Sequence, residues 1–118
     1  MLTAKFEVCR DCIELRLSGH ADSASYGRDL VCASASILAY TVAQSALSMD
    51  QRKALREPPE IHLEPGDSYI RLRPTRQRYH DCVQLFAFAH TGYRLLAHKY
   101  PDYVRVLYAD PCNSTDRE

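Results

Sequence analysis

Apolar and polar positions follow two different periods along this chain. Ile13, Leu15 and Leu17 alternate with Glu14, Arg16 and Ser18, which is the pattern of a half-buried strand. Leu2 to Val8 reads as a strand ahead of it. Cys9-Arg10-Asp11-Cys12 reads as the tight hairpin turn between the two. Residues 19–28 are rich in Gly, Ser, Ala and Asp and read as a loop. The period then changes. Leu30, Val31, Ser34, Ile37, Leu38, Val42, Ala46 and Leu47 approximate a 3/4 spacing, which predicts a helix from about Asp29 to about Met49. Ala33, Ala35, Ala39 and Ala43 raise its helix propensity and permit close approach to a sheet. Asp29 is placed to cap its N-terminus.

The second half repeats the order without repeating the sequence. Gln51 to Glu60 is polar, contains Pro58-Pro59 and reads as a linker. Ile61–Leu63 and Ser68–Arg73 form a second predicted hairpin around Pro65-Gly66-Asp67. Tyr79 to Tyr100 reads as a second helix, with Val83, Phe86, Ala87, Leu95 and Leu96 on its apolar face. Gly92 weakens its middle by roughly 1 kcal/mol relative to Ala, and Pro101 stops it. Tyr103 to Tyr108 is the last predicted strand. The reading is a single α+β domain, ββαββαβ, over residues 1–109. Its sheet is mixed or antiparallel and covered by two helices, and 110–118 is a polar tail.

Composition narrows the function classes. A chain of 118 residues with 46% hydrophobic and 25% charged residues fits one globular domain. A net charge of +0 gives no global attraction to nucleic acid or to a membrane surface. No uninterrupted apolar run reaches the ~18 residues of a membrane span. The first residues lack the long apolar core of a signal peptide, so the expected compartment is the cytoplasm. The 5 Cys residues are then expected as thiols.

Cys32 falls near the start of the first predicted helix, where free N–H groups and the macrodipole favour a thiolate. A thiolate is the attacking species in acyl transfer, although a Cys on an Ala-rich helix can equally be a small core residue. His20 lies in the preceding loop, between Gly19 and Gly27, and could act as base and later as proton donor. Asp29 would oppose thiolate formation through its charge, so capping and positioning suit it better. Cys9-x-x-Cys12 has no second pair to complete a zinc site and lies in a hairpin, not at a helix start as redox pairs do. His62, His80, His90 and His98 form no ligand set. Arg71, Arg73, Arg76 and Arg78 make a basic cluster that reads as a solvated strand end or as a contact for an acidic or nucleic-acid partner.

Gly19-His20-Ala21, followed by Gly27-x-Asp29-Leu30-Val31-Cys32-Ala33, resembles the GHA…G-x-D-[IL]-V-C-A signature of the ribosomal-processing cysteine protease (Prp) family. Tyr100-Pro101-Asp102-Tyr103-Val104 resembles that family's helix-ending segment before the last strand. The ββαββαβ order is also similar, so the resemblance spans residues 1–108. After Cys32 the chain reads Ala-Ser-Ala-Ser-Ile-Leu, where Ala-Ala-Val-Ser-Ala-Leu is more typical of the family. The resemblance implies a cysteine endopeptidase with Cys32 as nucleophile, His20 as base and Asp29 as the acidic residue of the signature. Gly19, Ala21 and Gly27 would belong to the substrate loop. It further implies removal of the N-terminal extension of a large-subunit ribosomal protein, a homodimer, no metal or organic cofactor, and no direct nucleic-acid binding. The rival readings are a noncatalytic ribosome-associated module using Arg71–Arg78, and a thiol-redox protein using Cys9 and Cys12.

Overall fold

β1 (Leu2–Val8) and β2 (Ile13–Ser18) form an antiparallel hairpin, with Val8 opposite Ile13 and the Cys9 amide donating to the Cys12 carbonyl at 3.0 Å. The computed structural model describes residues 1–19 and 26–110, and in the first helix it describes side chains from residue 30 onward. α1 (Tyr26–Gln51) follows, then β3 (Glu60–Glu64), β4 (Asp67–Leu72), α2 (Tyr79–Lys99) and β5 (Val104–Ala109). The expected ββαββαβ order is present, and residues 111–118 of the expected tail lie outside the described residues.

The sheet runs β3-β4-β2-β1-β5 and is mixed. Its hairpins are antiparallel, and only β1 and β5 pair in parallel, with Leu2 beside Val104 and Glu7 beside Ala109. Alternation sends Ala4, Phe6, Val8, Ile13, Leu15, Leu17, Ile70 and Leu72 to the helix-covered face. Phe6 is central there. Its ring meets Phe86 at 6.4 Å, Tyr93 at 5.9 Å and His90 at 5.2 Å.

The opposite sheet face is polar. Arg71 reaches Glu14 at 2.7 Å and Glu60 at 3.1 Å, and Arg73 also pairs with Glu60. The guanidiniums of Arg16 and Arg71 both lie 4.9 Å from the Tyr69 ring centroid, and His62 stacks on the same ring. The basic cluster of the sequence is thus divided. Arg71 and Arg73 are neutralised on the sheet, Arg78 pairs with Asp81 at 3.3 Å, and Arg76 lies at a separate cavity.

The buried faces of both helices match those the spacing favours only in part. On α1 the core side is Val31, Ala35, Ala39, Val42, Ala43 and Ala46, while Leu30, Ile37 and Leu47 face outward. Alanines let the helix approach the sheet closely, so the larger side chains are left on the outer side. On α2 the core side is Cys82, Phe86, Ala89, Tyr93 and Leu96, and Leu95 is exposed. Gly92 has a packing reason: a Cβ there would lie 2.8 Å from Leu38 Cδ2, so the glycine allows the two helices to close on each other. By length and composition Leu30–Gln51 would also pass for a membrane span, but its inner face is the alanine stripe packed in the core.

The segment after α1 is more ordered than a linker. Lys53 adopts φ +60°, its amide donates to the Asp50 carbonyl, and the Ala54 amide donates to the Met49 carbonyl. These two bonds form a Schellman end to the helix. Ala54 and Leu55 are buried, Leu55 bridges Pro74, and the Arg56 amide donates to the Arg73 carbonyl at 2.7 Å.

Candidate active site

Cys32 is exposed and opens into a cavity of about 220 Å³. Leu2, Leu17 and Leu63 form apolar walls on the sheet side. Ala35, Ser36, Ala39 and Tyr40 line it from α1, and the β3–β4 turn, Glu64 to Ser68, closes one end. Spacing along α1 explains the helical wall. Ser36 and Tyr40 follow Cys32 at four-residue intervals and therefore share its face. The turn arrives through sheet register. Ser18 pairs with Asp67, and the Gly19 amide extends the ladder by donating to the Gly66 carbonyl at 3.1 Å.

Gly19 also lines this cavity, and its position demands glycine twice over. Its φ is +87°, and a Cβ would lie 2.3 Å from the Met1 carbonyl oxygen. The Met1 strand end is itself held, because the Leu2 amide donates to the Tyr103 carbonyl at 2.8 Å. Gly19 therefore fixes the direction in which the chain leaves β2, immediately before His20.

The structure brings Cys32 and Gly19 to one cavity. His20 and Ala21 lie outside the described residues. Gly27 and Asp29 are helical in backbone, and the Asp29 side chain is outside the description. Two expectations about this helix are corrected. The helix begins at Tyr26, so Asp29 sits within its first turn and is not its N-cap, and the loop ends before Tyr26 instead of at Arg28. Ladder hydrogen bonding simply starts earlier than the 3/4 pattern does. Cys32 accordingly stands six residues past the first helical residue, about 9 Å along the axis. The described amides that lack a helical partner belong to residues 26–28, and the dipole effect falls off within the first turn.

Among the described residues, Cys12 and Cys82 sit in a different setting. Burial pushes the Cys12 thiol up, against the smaller downward pull of Arg73 and Arg71. Cys82 is buried and is pushed up to about 11. Neither shift suits a nucleophile. Among the described residues no group of three or more His, Cys, Asp or Glu is placed to hold a metal ion. The His90 ring is 4.9 Å from Tyr108 as well as close to Phe6, and it belongs to the packing.

The sequence model of the cysteine protease Prp family matches residues 1–105. The chain belongs to this family and is a cysteine protease. Among solved structures, the S. aureus ribosomal processing protease Prp with a substrate peptide aligns at 19% identity and a TM-score of 0.67, covering 92% of this chain and 99% of that one. The same S. aureus protease with a covalently linked product peptide aligns at 20% identity and a TM-score of 0.66, with the same coverage. SMU.848 from Streptococcus mutans aligns at 23% identity and a TM-score of 0.65, covering 93% of this chain and 95% of that one. At these identities the structures establish the Prp fold for this chain. No curated protein matches the sequence significantly.

Proposed function

We propose that this Prp-family protein is a cytoplasmic, homodimeric endopeptidase that removes the N-terminal extension of a large-subunit ribosomal protein by means of a Cys32–His20 dyad. The observation that carries the reading is the exposed Cys32 at a cavity shared with Gly19, the residue directly before His20. Resemblance to the S. aureus ribosomal processing protease supports the substrate class.

In this mechanism His20 takes the thiol proton, and Cys32 Sγ attacks the scissile carbonyl to form a tetrahedral oxyanion. Collapse releases the amine, which leaves with the proton carried by His20, and forms a thioester on Cys32. Water, deprotonated by His20, then attacks the thioester. The acid is released and the thiol restored. The apolar walls from Leu2, Leu17, Leu63, Ala35 and Ala39 suit an apolar substrate side chain beside the scissile bond.

The outward surfaces of both helices support the homodimer. Residues 30–49 carry no charge, Ile37 is 61% exposed on α1, and Phe88 is 77% exposed on α2. Exposed apolar side chains of this kind suit a protein–protein contact.

The test is to incubate wild type, Cys32→Ala and His20→Ala with the extended ribosomal protein and read product masses. A single N-terminal truncation made only by wild type supports the dyad and the substrate. Truncation by Cys32→Ala overturns the nucleophile. No truncation by folded wild type overturns the substrate.

A further inference from the structure

A second cavity, of about 650 Å³, lies at the other end of β1, about 20 Å from the Cys32 cavity. It opens beyond the carboxyl ends of β1 and β5, the one parallel pair in the sheet. Val8 and Val83 supply the apolar floor. Arg10 comes from the β1–β2 hairpin, Arg56 from the segment after α1, and Arg76 from the turn before α2. Tyr79 and His80, at the start of α2, complete the wall, with Asp11 and Asp110.

Arg56 is held in place. Its Nε donates to the Pro74 carbonyl at 3.1 Å and one terminal nitrogen donates to the Asp11 carbonyl at 2.6 Å. A guanidinium has five N–H donors, so most of this fork remains available. Three guanidiniums against two carboxylates leave the cavity cationic even with His80 neutral. This excess contrasts with the zero net charge of the whole chain and with the neutralised arginines of the sheet face.

We infer that this cavity binds a phosphate group, held by Arg10, Arg56 and Arg76. A phosphate offers several acceptor oxygens to donors converging from three segments, which a single carboxylate cannot match. The volume accommodates a nucleotide-sized ligand. The phosphate is carried either by a free small molecule or by an RNA backbone. The inference is independent of the protease reading, since it shares no residue with the Cys32 cavity.

Titration with orthophosphate and with AMP, followed by amide chemical shifts, tests it, together with anisotropy of a labelled single-stranded RNA decamer. Saturable shifts at Val8, Asp11, Tyr79 and His80 are expected. Arg10→Gln/Arg76→Gln should weaken AMP at least about tenfold, whereas the charge-matched Arg94→Gln/Arg105→Gln should leave it unchanged. RNA binding about tenfold tighter than AMP, and displaced by orthophosphate, identifies the polymer as the source. Comparable affinity identifies a free phosphorylated molecule. The inference is overturned if neither AMP nor RNA saturates these amides by about 10 mM phosphate. Equal weakening in both double variants also overturns it, as does an acidic peptide that moves the same amides as strongly as AMP. Should the first double variant fail to fold, Arg10→Gln alone carries the comparison.

Discussion

The Tyr93 hydroxyl donates a 2.8 Å hydrogen bond to the Ala35 carbonyl. Tyr93 is fully buried on α2, and Ala35 lines the Cys32 cavity from α1, so this bond ties the second helix to the turn that carries Cys32. Tyr93→Phe keeps the ring against Phe6 and removes only this bond. The Ala35 carbonyl still has its helical partner, so the expected cost is about 1 kcal/mol in urea unfolding. Tyr93→Ala also empties ring volume and is expected to cost about 3–5 kcal/mol.

Cys32→Ala should abolish peptide cleavage with little effect on stability, within about 0.5 kcal/mol, because the side chain is exposed. Melting and cleavage measured on the same preparation check this. A large loss of stability would mean that Cys32 is packed in a core.

Gly19→Ala should be costly although the residue is at the surface. It combines a left-handed φ with a Cβ driven into the Met1 carbonyl, and a loss of at least about 2 kcal/mol is expected in urea unfolding. Cleavage should fall as well, since the chain leading to His20 is redirected. Unchanged cleavage by a destabilised but folded variant would separate Gly19 from the site.

Lys53→Gly should stabilise the protein. The left-handed conformation costs a non-glycine residue about 1–2 kcal/mol, and glycine's greater unfolded entropy returns about 0.5–1 of that. A net gain of about 0.5–1 kcal/mol is expected by denaturant unfolding.

Alkaline pH should weaken the fold through Cys82. Its thiol ionises near 9.0 when unfolded and at about 11 when buried. The unfolded chain therefore loses this proton first. Stability from this group is intact below pH 9 and declines as pH rises from about 9 towards 11. Melting curves of wild type and Cys82→Ala over this range should diverge, with the variant showing the shallower decline.

Much of the architecture is a local property of the chain. The period-2 run Ile13–Ser18, the turn at Pro65-Gly66-Asp67 and the stop at Pro101 set the β2 strand, the β3–β4 turn and the end of α2 without reference to distant residues. The ordered pattern from Gly19 to Ala33 likewise made the protease family legible, because its residues are close in sequence. The faces of α1 were not legible in the same way. That helix carries no charge from Leu30 to Met49 and has apolar side chains on several sides, so periodicity alone does not choose its inner side. Sheet packing chose the alanines and left Ile37 and Tyr40 outside. Nor could spacing show that the turn Glu64–Ser68 would wall the Cys32 cavity, since only the β2–β4 register brings it there. The separation of Arg76 from Arg71 and Arg73 has the same origin. Neighbours in sequence point to different sides once the strand ends and the chain turns towards α2. Local chemistry determined the elements and the family signature, and long-range pairing decided what surrounds them.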